Sequence, residues 1–195
     1  MKHYQHLFIC IILLIGTGLY GQNGKYALVI HGGVGNIRPE NLQAKVAASY
    51  EAKLKEVLRR GDSILCASGT SLDAVEACIR MMEDCPLFNA GKGAVFNAEG
   101  KNEMDASVMD GKTGLAGAVA GVTTIKNPIS AARAVMEKSQ HVMLSGKGAE
   151  IFAASQSLEI VAQDYFFTRE RWNDYLKARQ KADSLELIDK KHGTV

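Results

Sequence analysis

The sequence predicts one α/β domain, and three observations carry that prediction. An unbroken apolar run at residues 25–33, "KYALVIHGG", stops at two glycines, as a strand buried on both faces does where it opens into a tight loop. Two later stretches repeat apolar residues at near-helical spacing, each bounded by a capping residue or a breaker. The 195 residues are 47% hydrophobic and 23% charged, which is material for one sizeable core and too little for two large ones.

The elements follow in order. Pro39 and Glu40 open a stretch in which Leu42, Val46, Tyr50, Leu54 and Val57 share a helical face, and Gly61 is expected to close it. A second helix starts at a Thr70 or Ser71 cap with Asp73 in its first turn. It shows Leu72, Val75, Ile79 and Met82 on one face and stops before Pro86. The Met81–Met82 pair reads as core filler. Residues 106–110, "ASVMD", and 115–125, "LAGAVAGVTTI", read as a hairpin turning at Asp110 and Gly111. Asn127 followed by Pro128 marks the start of a helix. Further helical patterns run over 148–157 and 168–182, and the polar remainder, 183–193, reads as an exposed linker.

The first residues have the form of an export signal: Lys2 in a short leading region, an apolar run over 7–15, then small or polar residues to Gly21. That run is too short to span a bilayer comfortably, so no stable membrane anchor is expected. The protein is expected to be exported, periplasmic or secreted, with the mature chain starting near Gln22. Cys66, Cys78 and Cys85 then remain, an odd number at irregular spacing that makes no disulfide framework. His31, His141 and His192 are too dispersed to form a zinc pattern with them. A net charge of +2 with scattered carriers leaves no footprint for nucleic acid. The "SGKG" at 145–148 lacks the upstream glycine of a phosphate loop and has Gly148 where a Ser or Thr belongs.

Three stretches bear on chemistry. "HGGVG" at 31–35 is either a plain turn or a loop whose backbone approaches a ligand closely. Residues 85–111, "CPLFNAGKGAVFNAEGKNEMDASVMDG", set Asn89 among small residues, where by itself it reads as an asparagine satisfying its own turn. "HGTV" closes the chain at 192–195. Together, in this order, they resemble the isoaspartyl peptidase and plant-type L-asparaginase family of N-terminal nucleophile hydrolases, threonine type.

The resemblance implies a precursor that cuts itself between Gly193 and Thr194, freeing a threonine that attacks with its hydroxyl and uses its own α-amine as base. It implies that Asn89 orients this nucleophile and that His31 and Gly32 adjust during self-cleavage. It implies a structural sodium ion, with no other cofactor, held by the backbone carbonyls of Met82, Glu83, Cys85, Phe88, Ala90 and Lys92. The implied substrates are L-asparagine and β-aspartyl (isoaspartyl) dipeptides, the implied fold an αββα four-layer sandwich, and the implied assembly (αβ)2. On this basis residues 1–21 are the signal peptide, 22–182 the α-subunit half of the sandwich, 183–193 the linker and 194–195 the start of the β-subunit. The substrate-binding residues and the β-subunit partner are expected beyond this stretch, and the chain alone is expected to be inactive. A glycosylasparaginase-like hydrolase is the alternative, against which Gly193 counts because relatives of that type carry an aspartate before the nucleophile. An inactive truncated fragment with a binding or structural role is the other.

Overall fold

The computed structural model describes residues 26–33 and 43–192, with side chains to residue 184. The signal segment, Gly193 and Thr194 lie outside the described residues. The chain is mixed α/β: α1 (Ala44–Cys66), α2 (Ser71–Glu83), β1 (Met104–Met109), β2 (Ala116–Val122), α3 (Pro128–Lys138), β3 (Met143–Ser145), α4 (Gly146–Ser155) and α5 (Arg169–His192).

Residues 26–33 form no strand, contrary to the expectation for 25–33. An apolar segment becomes a strand only where a neighbour takes its N–H and C=O groups, and no described strand pairs with this one. Val29 is accordingly 88% exposed. Helix α1 runs through Gly61 instead of ending there, because that glycine serves close packing. A Cβ at Gly61 would meet Leu28 Cδ2 at 2.5 Å and Cys78 Sγ at 2.7 Å. The helix stops five residues later, where Ser68 takes a positive φ of 64°.

Thr70 caps α2 through a reciprocal box: its hydroxyl accepts the Asp73 N–H, and the Asp73 carboxylate accepts the Thr70 N–H. The buried row of α2 is Ala74, Cys78 and Glu83, while Val75 faces outward at 36% exposure. Small side chains here let α1 approach, and burial pushes the Cys78 thiol above its ordinary pKa while Sγ donates to Val57 O.

The sheet has three strands in the order β1-β2-β3. The antiparallel β1–β2 hairpin turns over residues 110–115, with the Asp110 carboxylate taking the Lys112 N–H and the Thr113 hydroxyl. The left-handed position is Gly114, φ 75°, and not the expected Gly111. An extra residue in β2 breaks the register between the Met104 and Ala106 pairs, at Gly121, φ 60°, whose N–H is held by Asp105. Strand β3, which sequence patterning missed, is only three residues long and pairs parallel with β2. Parallel neighbours need a crossover, and α3 supplies it.

Both α3 and α4 cover one face of this sheet. A Cβ at Gly117 would collide with the Ala132 carbonyl of α3, so the glycine sets how closely helix and strand approach. Val119, Val122, Ala131, Val135, Ala149, Ala153 and Phe166 close the core. On the other face Asp105, Ser107, Met109 and Met143 are exposed, the two methionines at 65% and 54%.

Two buried carboxyls lock these elements. Glu150, on α4, accepts the Thr123 N–H, the Thr123 hydroxyl and the Thr124 N–H at 2.8, 2.9 and 3.0 Å, fastening the exit of β2. Burial pushes its pKa up, but these donors and Lys147 outweigh it and hold the carboxyl below its ordinary value. Glu83 ends α2 and caps α3, its Oε1 accepting the Ile129 N–H at 3.0 Å. Asn127 holds the N-cap position, but its side chain makes no capping bond and donates to Asp84. Burial pushes Glu83 up to about 8, despite the Ile129 N–H and the nearby Asn127 amide, and among the described residues its buried Oε2 has no hydrogen-bond partner.

Glu150→Ala should cost about 3 kcal/mol in urea unfolding near neutral pH, since three donors lose their acceptor. Because its folded pKa is depressed, the carboxylate stabilises above its unfolded value of 4.5 and the contribution is lost as pH falls through the folded value. Glu150→Gln should therefore flatten the acid limb of stability against pH. Glu83→Gln, which keeps the acceptor for Ile129, should leave stability nearly unchanged, whereas Glu83→Ala should cost about 2 kcal/mol in the same assay.

Candidate functional site

Between α2 and β1 the chain makes one isolated bridge, Phe96 with Asn102, and no ladder, so its backbone polar groups are met by short turn bonds and by side chains, two of them from distant helices. Pro86 prevents α2 from continuing, and a single 3-10 turn at Gly91–Gly93 reverses the loop. Gly91 is left-handed at φ 51°, and a Cβ there would collide with the Glu83 carbonyl. A Cβ at Gly93 would collide with the carbonyls of Phe88 and Pro86. Only glycine permits so close a fold of backbone on backbone.

Three side chains pin this loop. The Tyr50 hydroxyl of α1 donates to Leu87 O at 2.6 Å. Arg171 of α5 donates from Nε to Gly93 O at 2.9 Å and from Nη2 to Leu87 O at 3.5 Å. Asn102 Nδ2, in a side chain 4% exposed, donates to Ala94 O and Val95 O at 2.8 and 3.3 Å. Phe88 is buried edge-on against Tyr50, ring centroids 5.8 Å apart.

Asn89 stands exposed at the turn of this pinned loop. Its Oδ1 accepts the Val95 N–H at 2.9 Å, so it does satisfy its own turn. A backbone N–H can be met only by the oxygen, which fixes the amide's orientation and turns the Nδ2 donors outward. Among the described residues Nδ2 has no partner. The asparagine therefore has one half committed to structure and one half available to donate.

The structure brings the "HGG" stretch to the same place. A Cβ on Gly32 would lie 3.4 Å from Phe88 Cε1 and 3.5 Å from Leu54 Cδ2, so Gly32 packs directly behind the residue preceding Asn89. His31 is exposed, its Nδ1 accepting the Gly33 N–H at 3.3 Å, and Gly33 is left-handed at φ 112°. His31, Gly32 and the Asn89 loop thus share one site.

The carbonyls expected to hold sodium curl over the same loop. Those of Met82, Cys85 and Ala90 each accept one N–H, and those of Glu83, Phe88 and Lys92 accept none among the described residues. Glu83 O and Phe88 O crowd the α-carbons of Gly91 and Gly93 respectively. The Lys92 ammonium lies 5.0 Å from the Tyr165 ring centroid, so this residue would contribute only its carbonyl. Neither Leu87 O nor Gly93 O, the acceptors used by Tyr50 and Arg171, belongs to that set.

Sequence reading missed Tyr50, Asn102 and Arg171 as loop supports: Tyr50 and Arg171 act on backbone far away in the chain, and Asn102 on backbone seven and eight residues before it, with no motif to mark the contact. Cys66, Cys78 and Cys85 are all free thiols. Among the described residues no cluster of His, Cys, Asp and Glu could hold a metal ion, and no helix is long and apolar enough to cross a membrane.

Comparison with known proteins agrees with this geometry. Residues 24–194 match the family model described as Asparaginase. The chain is 44% identical over 158 residues to an isoaspartyl peptidase of Escherichia coli K12, covering 81% of this chain and 49% of that protein. It is 50% identical over 127 residues to a plant-type L-asparaginase of Pyrococcus abyssi, covering 65% and 40% respectively. With an isoaspartyl peptidase/L-asparaginase of Xenopus laevis it shares 41% over 168 residues, covering 84% and 53%. The chain spans about half the length of the curated relatives it matches. With an Asn89 loop held in place and a match reaching from residue 24 to Thr194, the chain belongs to the isoaspartyl peptidase and plant-type L-asparaginase family.

Proposed function

We propose that the chain is the α-subunit part of an exported amidohydrolase precursor that cleaves itself between Gly193 and Thr194 and then hydrolyses L-asparagine and β-aspartyl dipeptides. The observation that carries this reading is the outward Nδ2 of Asn89 on a pinned loop, in a chain whose family match runs to Thr194. In self-cleavage the Thr194 hydroxyl adds to the Gly193 carbonyl carbon and the C–N bond breaks, leaving an ester that water hydrolyses. The products are a carboxylate on Gly193 and a free α-amine on Thr194. In turnover that amine takes the hydroxyl proton as Oγ attacks the substrate's side-chain carbonyl, then returns it to the departing ammonia or amine. Water releases aspartate from the acyl-enzyme. An α-amine titrates near pH 8 in model compounds, so enough is neutral to serve as base without a histidine. Asn89 Nδ2 donates to the nucleophile oxygen and holds its rotamer.

Sodium held by the carbonyls of Met82, Glu83, Cys85, Phe88, Ala90 and Lys92 would stiffen the loop electrostatically. The substrate-binding residues and the oxyanion donors belong to a β-subunit beginning at Thr194, in an (αβ)2 assembly. Its strands would complete sheets of which this half supplies only part and cover the open face at Ser107, Met109 and Met143, giving an αββα sandwich. The chain alone is then an inactive piece, and Gly193 continues to favour this reading over a glycosylasparaginase.

Asn89→Asp separates the two halves of the asparagine. The carboxylate keeps an acceptor for Val95 N–H but loses the donor, so in the precursor expressed through its whole reading frame it should retain thermal stability and lose β-aspartyl dipeptide turnover by about 100-fold. A variant with near-normal turnover per folded molecule would reduce Asn89 to a turn residue.

A further inference from the structure

Helix α5 leads toward Gly193 and Thr194, and among its described side chains, those to residue 184, one narrow strip touches the rest of the protein. Arg171, Trp172 and Tyr175 are half-buried, while residues 176–184 are exposed throughout. The strip seats on the loop described above. Trp172 meets Phe96 edge-on at 5.1 Å between centroids and Tyr175 at 5.0 Å, and Phe167 stands 6.0 Å from Phe96. Gly100, left-handed at φ 75°, leaves room for these rings, since a Cβ there would lie 3.4 Å from the Tyr175 hydroxyl. The Tyr175 hydroxyl donates to Ala98 O at 3.4 Å.

Arg171 is the unusual member. Among the described residues its guanidinium has no carboxylate within ion-pair distance. Both of its hydrogen bonds go to backbone carbonyls, Leu87 O and Gly93 O, which stand on either side of Asn89. A planar fork of donors suits that task, because two carbonyls a fixed distance apart can be bridged by one rigid group. An ammonium on a flexible stem cannot hold both in the same way.

Resting on the reading that Thr194 is the nucleophile, we propose that Arg171 is a positioning residue that clamps the two limbs of the Asn89 turn and fastens to them the helix leading to the cleavage bond. One side chain thereby couples the placement of the Asn89 amide to the placement of the segment it must meet. Trp172, the sole tryptophan in the sequence, sits in the same seat and reports on it.

The test has two arms. In the precursor expressed through its whole reading frame, Arg171→Ala should slow self-cleavage and lower kcat by about 10- to 100-fold, with KM changed less than about twofold, because misplacement of a reacting group costs rate and not affinity. Guanidinium chloride at low millimolar concentration should restore part of the loss, and Arg171→Lys should recover little. In the 195-residue chain itself, Arg171→Ala should shift Trp172 emission to the red as the seat loosens. Unchanged emission overturns the clamp, as does an unchanged kcat, or a loss that tracks the unfolded fraction and is not rescued by guanidinium. A native precursor that neither cleaves nor hydrolyses sinks the reading of Thr194 instead, and the emission arm alone then decides the clamp.

Discussion

The structure around Asn89 depends on one constraint: a stretch of backbone without a ladder must still have its carbonyls satisfied. Tyr50 of α1 and Arg171 of α5 meet this from outside the connection, and Asn102 from its own end. Each bond is individually modest, worth about 1 kcal/mol net, yet an unmet buried carbonyl would cost more. The loop is thereby fixed by its own turn bonds together with side chains from α1 and α5, which is how an irregular segment comes to hold a functional group firmly. Glycines at 91 and 93 make the arrangement sterically feasible, and Glu83 ties its entrance to the start of α3.

The sheet conveys a different constraint. Helices α3 and α4 cover one face, with Gly117 setting the approach, while the other face exposes Met109, Met143 and the polar residues between them. Apolar positions with no neighbour gain nothing from folding as they stand. The same holds for Val29, in a segment whose composition suits a buried strand but which finds no partner among the described residues. Both observations fit a chain that spans about half the length of its relatives.

Much of this was legible in the sequence, for identifiable reasons. The Thr70–Asp73 box, the Asn127–Pro128 helix start and the β1–β2 hairpin rest on local chemistry, which neighbouring residues decide between themselves. Failures came where distant packing outweighed local preference. Gly61 signals a helix end by propensity, but it sits mid-helix because Leu28 and Cys78 need the space. Strand β3 is too short to show a period, and α5 runs to His192 where charged composition suggested a linker after 182. That helix is rich in Lys, Arg and Leu, which favour helix without needing a buried face. For the site, the motifs around His31 and Asn89 named two stretches that the fold brings together, Gly32 against Phe88. The division of Asn89 into a structural oxygen and an available amide required its contact with Val95.

In the proposed function the pinned loop and the Asn89 amide are joined to a nucleophile at Thr194. The most direct test of that account is the mass of the purified precursor, expressed through its whole reading frame, followed over prolonged incubation. The account requires two fragments whose masses place the break between Gly193 and Thr194. A single intact mass would contradict it.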